Sequence, residues 1–354
     1  MKTQGLPVMD RTRLEALLGK FPGIRIAVAG DLFLDRWLFI DPALNEPSLE
    51  TGLPAWQAVR DKRSAGAAGT VLNNLSALGV GSIAAVSMLG EDGAGRDVEL
   101  ALAERGVNTR DVLRSRDIIT PQYIKPMLLS PERTAAEQNR IDVKNQGPTP
   151  GALEEKLCEN LSRAAGTVDA VILLDQLTEE DRGVLTRRVR GHAMNLAKQR
   201  PGLLVFADSR AFLHLFRGVT VKCNNLEAAR LANRAEQETF NPENVFRDLE
   251  RLMAQTGKPA FVTCGRDGIA TGNSMGNVLV PAVRHSVPLD PCGAGDAATS
   301  GIVCALCAGA DLGEAAFVGN LAAGVTVRRI GDTGTASPEE ILRLYDEQYA
   351  GGTT

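Results

Sequence analysis

Short apolar runs alternate with longer amphipathic ones along most of this 354-residue chain. Residues 24–29 (Ile24-Arg25-Ile26-Ala27-Val28-Ala29) read as a buried strand closed by Gly30-Asp31. Further strands are expected at 82–88, 168–174, 203–207, 219–221 and 260–263, with a hairpin around Gly272 to Asn277. Helices are expected at 70–78, 98–104, 153–165 and 178–198, and another opens after Asp296. Strand–helix alternation of this kind predicts an α/β fold with a mostly parallel sheet flanked by helices. Residues 34–64 and 118–146 break the rhythm with prolines, short β-like runs and mixed charge. They read as two insertions that build one small β-sheet lid, because two structureless loops of that length would be unusual in a compact domain. The expectation is a single α/β domain over 1–354, with the polar strand ends Asp31, Gly90, Asp175, Asp208, Asn224 and Gly265 lining a cleft.

Composition changes this picture little but narrows the function. Apolar residues make up 44% and charged residues 23%, with a net charge of −4, so neither disorder nor a basic nucleic-acid-binding surface is expected. The most apolar stretch, 297–312, is shorter than a membrane span and contains Ser300 and Asp311. No signal-peptide core precedes the first strand, so a cytoplasmic protein is expected. Six cysteines and three scattered histidines give no metal or disulfide framework, and Cys304 and Cys307 read as one buried helix face.

The chemistry concentrates in Asp290-Pro291-Cys292-Gly293-Ala294-Gly295-Asp296, a small-residue turn opening into an apolar helix. A helix N-terminus offers unpaired N–H groups, and Gly293, Ala294 and Gly295 let them approach an anion, with positive φ expected at Gly295. Asp296 then stands beside the anion as a candidate base for an attacking hydroxyl, or alternatively as a helix cap. Neither G-x-x-x-x-G-K-[ST] nor a first-strand G-x-G-x-x-G is present, which disfavours a P-loop and a Rossmann oxidoreductase.

Asp290 to Asp296 resembles the D-x-x-G-A-G-D motif of the ribokinase family, the PfkB carbohydrate kinases. Other segments resemble family motifs in the right order: Gly30 to Trp37, Ala65 to Asn74, Leu89 to Gly95, Asn224-x-x-Glu227, Thr263-x-Gly265-x-x-Gly268, and 322–327 with Ser337-Pro338. The branch resembled most is the heptose-phosphate kinase of ADP-heptose synthesis. The resemblance implies a ribokinase-like fold and ATP-dependent transfer of the γ-phosphoryl group to a sugar or sugar-phosphate hydroxyl. It makes Asp296 the base and Gly293 to Gly295 the anion hole. Asn224, Glu227, Thr263, Gly265, Gly268 and Asn320 would hold the nucleotide, with Glu227 ordering Mg²⁺ and Asp290 supporting a monovalent cation such as K⁺. Asp31, Asp35, Ala65, Gly66, Gly69, Asn73 and Arg140 would meet the acceptor. A homodimer formed through the lid is implied as well. Asn224-x-x-Glu227 is also a capping box; Asp311-x-x-Glu314 and Ser337-x-x-Glu340 read as caps only.

Three departures stand out. The family's glycine pair begins at Ala65, and its Asn falls on Gly69, with Asn73 one turn on. The Asp-Tyr-Gly-Lys-Gly run of the heptose-kinase branch is Asp175-Gln176-Leu177-Thr178-Glu179 here, without the lysine. The chain ends at Thr354, so the nucleotidyltransferase domain sometimes fused to that kinase is expected to be absent. These departures predict little activity on heptose 7-phosphate and a different acceptor, such as an unphosphorylated sugar. A non-catalytic protein on the same fold, or a heptose 7-phosphate kinase proper, are the alternatives.

Overall fold

The computed structural model describes residues 9–132, 134–234, 240–274, 276–331 and 333–349. Nine strands form the main sheet. Arg25–Gly30 is third from one edge, followed there by Ser82–Gly90 and Asn108–Ser115. On the other side follow Ala170–Asp175, Leu204–Ser209, Thr220–Asn224 and Ala260–Thr263, all parallel. The antiparallel hairpin Ile269–Asn273 and Gly276–Val280 closes that edge.

Both faces of the sheet are buried, as its near-continuous apolar strands require. Ile26 and Val28 pack on one face beneath the helices Ala68–Ala77, Ala294–Cys307 and Leu312–Thr326. Ala27 and Ala29 pack on the other, beneath Gly151–Ala165, Arg187–Gln199 and Pro242–Thr256. Gly301 and Gly319 let two helices of the first layer touch, since a Cβ on Gly301 would lie 3.1 Å from Gly319 Cα. Asp311–Glu314 forms a reciprocal capping box, and Ser337 and Glu340 bond each other's backbone at the last helix.

The two irregular stretches meet in a second, mixed sheet. Leu32–Ile40 pairs antiparallel with Ala58–Ala67 and parallel with Gln122–Leu129, and Ala135–Glu137 and Ile141–Val143 add to the latter strand. The first crossing therefore begins two residues earlier and ends three later than its prolines and charges mark. Between its strands the chain forms a small hairpin, Glu46–Pro47 with Pro54–Ala55.

Several elements differ from expectation. The helix expected over 178–198 starts only at Arg187, capped by Thr186; residues 176–186 are irregular. Their backbone is drawn into tertiary bonds instead, with Asp31 accepting from the Val184 amide and Thr149 donating to Asp181 and Gly183. The helix expected from Val98 begins at Gly93 because the Asp92 side chain caps it. The strand expected at 219–221 runs instead over Thr220–Asn224.

Candidate active site

The cleft lies at the carboxyl ends of the parallel strands, where open α/β sheets bind ligands. It has a volume of about 530 Å³ and is lined by Asn224, Glu227, Thr263, Gly265, Gly268, Gly293, Ala294, Gly295, Asp296 and Asn320, ten of the residues singled out in the sequence. Asp31, Asp35, Ala65, Gly66, Gly69, Asn73, Arg140 and Asp290 lie outside this lining.

The Gly293 turn opens the helix Ala294–Cys307. Positive φ falls on Gly293 (φ 78°, ψ −3°), not on Gly295 as expected. Gly293 supplies the left-handed turn, while a Cβ at Gly295 would point towards Lys222 Nζ, 3.4 Å away. The first turn of the helix thus presents its free amides to the cleft. Asp296 sits in that turn, half-buried. Burial, together with the Asp208 carboxylate, pushes it up to about 7, against the pull of Lys222 and Arg210. A carboxylate poised near neutrality suits a general base.

Lys222 and Arg210 are the residues that sequence reasoning missed, whereas Asp208, expected at the cleft as a polar strand end, does line it. Lys222 Nζ donates to Asp208 Oδ2 at 2.6 Å, and the Thr299 hydroxyl donates to the same oxygen at 3.0 Å. Both Lys222 and Asp208 are buried and line the cleft with Arg210. A buried Lys–Asp pair at two adjacent strand ends is a usable sequence signal, but Lys222 reads there as an interruption in an apolar strand.

Asn224 and Glu227 form the capping box: Asn224 N–H donates to Glu227 Oε2 and Glu227 N–H to Asn224 Oδ1, each at 2.8 Å. Burial raises the Glu227 carboxyl above its ordinary value. No cluster of three metal-ligating side chains occurs among the described residues. Asp208 and Glu227 at one cleft wall instead suit Mg²⁺, which keeps several waters and takes phosphate oxygens as ligands. Gly265 (φ 56°) and Gly268 (φ 108°) shape the neighbouring loop; a Cβ at Gly268 would strike Val280 O at 2.0 Å. Asn320 donates to Val280 O and Pro281 O, fixing the same wall. Asp290 accepts from the Cys292 and Gly331 amides, so both of its oxygens tie backbone together.

On the lid, Asp35 is buried, with Oδ1 unpartnered. Burial raises it, while Lys125 and Arg140 draw it down, and its charge is felt at Asp296. A Cβ on Gly66 would lie 2.7 Å from its carboxylate. Lys125 lies over the Trp37 ring at 4.6 Å and Arg140 over Tyr123 at 4.1 Å. Arg140 also pairs with Asp142, which holds it in place rather than free. Asp31, by contrast, turns away from the cleft: its Oδ1 accepts the Val184 amide at 2.7 Å.

The glycine motif also sits differently. Positive φ falls on Ala67 (φ 54°, ψ −117°), a conformation suited to glycine, one residue beyond Gly66. Gly69 is small because a Cβ there would lie 2.5 Å from Ala65 Cβ; the two departures compensate each other. Asn73 donates to Ala65 O at 3.4 Å, so its amide serves the backbone.

A helix turn with free amides at the strand ends, a half-buried carboxylate beside it and a second, smaller sheet suit a phosphotransferase on a ribokinase-like fold. Solved structures share that fold. Phosphofructokinase-2 from Escherichia coli in complex with substrates and products matches with TM-score 0.68 at 18% identity, covering 92% of this chain and 99% of that one. Arabidopsis thaliana ribokinase complexed with ribose and ATP matches with TM-score 0.64 at 19% identity, covering 91% and 98%. The pfkB family carbohydrate kinase model matches residues 37–340, and the chain belongs to this family of phosphotransferases with an alcohol acceptor. Among curated relatives, the bifunctional protein HldE of Geotalea uraniireducens is 31% identical over 94% of this chain, and that of Trichlorobacter lovleyi 28% over 96%. The chain spans 65% and 67% of the length of these two.

Proposed function

We propose that the protein transfers the γ-phosphoryl group of ATP, as its Mg²⁺ complex, to a hydroxyl of a sugar phosphate. The observation that carries this reading is Asp296, raised to about 7 in the first turn of the helix opened by Gly293 and electrostatically coupled to Asp35 on the lid. Backbone amides of the turn and Lys222 would stabilise charge on the transferring phosphoryl group, whose transition state spreads charge over its oxygens. Asp296 would take the proton of the attacking hydroxyl. The nucleotide would lie along Thr263, Gly265, Gly268 and Asn320, with Glu227 and Asp208 towards Mg²⁺. Mg²⁺, when bound, neutralises charge on the phosphates.

Asp35 would orient the acceptor. Its neighbours change the reading of the acceptor: Lys125 on the strand Gln122–Leu129 and Arg140 just before the strand Ile141–Val143 both act on Asp35, and would supply the cations that the Gln176–Glu179 segment lacks. Ala65 and Gly69 compensate for one another rather than signalling a lost site. Both points favour a phosphorylated sugar, heptose 7-phosphate among them, over an unphosphorylated one. A non-catalytic reading would leave the raised Asp296 at the anion turn without a role. Among the described residues the lid strand Ala58–Ala67 stands at the edge of its sheet, and Leu44, Leu49, Leu53 and Trp56 in the segment before it are exposed. These features support a homodimer through the lid. Use of ATP supports a cytoplasmic location, and among the described residues no helix is long and apolar enough to cross a membrane. A K⁺ requirement rests on the resemblance alone.

The test is ADP release with MgATP over a panel of sugars and sugar monophosphates that includes heptose 7-phosphate. Turnover is expected to be highest on a phosphorylated sugar, and a panel without any turnover would refute the reading.

A further inference from the structure

Asp31 occupies the point at which the chain leaves the main sheet for the lid, between the strands Arg25–Gly30 and Leu32–Ile40. Its carbonyl accepts the Ala68 amide at 2.9 Å, where the returning lid strand enters its helix. Its carboxylate is only 5% exposed and is directed to a third segment, the irregular residues 176–186. Oδ1 accepts from Val184, and Oδ2 is buried without a hydrogen-bond partner. The fit is close: a Cβ on Gly183 would come within 2.4 Å of Asp31 Oδ1 and 2.8 Å of Leu177. Arg190, beside Asp175 at 3.8 Å, donates to Leu185 O at 2.7 Å and braces the far end of the segment.

This segment faces two ways. Gln176 lines the main cleft together with Asp208, Arg210 and Asp296. Leu177, Arg182 and Val184 line a small cavity together with Asp31, Pro121 and Asn145, the last two at the start and end of the second lid crossing. One residue therefore joins the lid's exit to its return through its carbonyl, and ties both to a wall of the cleft through its buried carboxylate.

We infer that Asp31 is a positioning residue that locks residues 176–184 against the base of the lid, and so sets the acceptor side of the cleft without touching the acceptor. The inference rests on the kinase reading above but has a readout independent of it. Amide hydrogen exchange of the free, full-length chain is compared for wild type, Asp31→Ala, Asp31→Asn and Gly183→Ala. Losing the bond in Asp31→Ala, or displacing it in Gly183→Ala, should raise exchange at 176–184 by about tenfold, the equivalent of one lost hydrogen bond. The strand Ala170–Asp175 and the helix from Ala294 should stay as protected as in wild type. Asp31→Asn keeps an acceptor oxygen and should restore most of the protection. With whichever panel member the wild type turns over, Asp31→Ala should raise the acceptor KM about tenfold while the KM for MgATP stays within about twofold. Unchanged exchange at 176–184 in a folded Asp31→Ala protein would overturn the inference, as would an equal rise in both KM values. Failure of every sugar to support turnover would refute the kinase reading and leave the exchange result standing.

Discussion

The two ends of the site are built from different materials. The proposed phosphoryl-transfer end takes its shape from backbone, the Gly293 turn, the Gly265 and Gly268 loop and the amides of one helix, around the side chains of Asp296, Lys222, Asp208 and Glu227. The proposed acceptor end is side chain: Asp35, Lys125 and Arg140, with Arg140 stacked on Tyr123, carried on a mixed sheet that two separate chain crossings assemble. Backbone donors tolerate no change of shape, since a Cβ in the wrong place blocks the ligand or forces a strained φ. Side-chain donors can be exchanged one for another between strands. One end of such an enzyme can therefore stay fixed while the other changes specificity.

The largest effect is expected where that rigidity is broken. Gly293→Val places a β-branched residue at φ 78° in the turn, and turnover should fall below detection while the thermal transition moves only modestly. Gly295 has ordinary φ, so Gly295→Val should also lose turnover, but through obstruction of the phosphate and of Lys222 rather than strain. A fully active Gly293→Val enzyme would remove the anion hole from the account.

A smaller effect is expected from pH. Asp296 must be ionised to act as base and stands near 7, so kcat/KM for the acceptor should fall tenfold per pH unit below about 7. A flat profile from pH 5.5 to 8 would contradict this. Exchanges at the acceptor end should be milder still. Lys125→Ala and Arg140→Ala should each raise the acceptor KM about tenfold for a phosphorylated sugar, with kcat and the KM for MgATP little changed, as steady-state kinetics would show. Equal loss on the unphosphorylated sugar would mean that neither residue reads the phosphate.

Two predictions concern stability. Asp175 is buried, and burial with Asp31 nearby pushes it up to about 7. Between an unfolded value near 4 and this folded value, the native state holds a proton that the unfolded chain has released. Asp175 therefore lowers stability as pH rises through that window. Relative to wild type, Asp175→Asn should gain stability from pH 4.5 to pH 7, with a slope approaching about 1.4 kcal/mol per pH unit in denaturant titrations. The smallest effect belongs to Ala67, whose φ of 54° with ψ of −117° suits glycine: Ala67→Gly should stabilise by about 1 kcal/mol, and destabilisation would show that its methyl packs usefully.

The same contrast explains what the sequence reveals. Strands such as 24–29 and 168–174 are apolar on both faces, and the glycine turns punctuate them, so the main sheet and the nucleotide wall are readable from local pattern. Asp296, Gly293 and the Asn224–Glu227 box lie within a few residues of their structural partners. The acceptor end depends on pairing across long separations: Lys125 comes near Asp35 through a parallel pairing of Leu32–Ile40 with Gln122–Leu129, and Arg140 through the antiparallel pairing of Ile141–Val143 with the latter, neither of which local spacing announces. The same holds for residues 178–186, whose helical pattern loses to tertiary bonds from Asp31 and Thr149, and for Asp31 itself, which reads as a cleft residue but serves the backbone. Ala65 and Gly69 look like two losses until their 2.5 Å proximity shows them to be one exchange.

The central claim is that Asp296 is the base standing between the two ends, and Asp296→Asn tests it most directly. ADP binding by calorimetry is measured beside ADP release on the panel member that the wild type turns over. The account predicts nucleotide affinity within a few-fold of wild type and kcat lower by about 10²–10⁴. Turnover near the wild-type rate, with the nucleotide bound as tightly, would reduce Asp296 to a helix cap and contradict the mechanism.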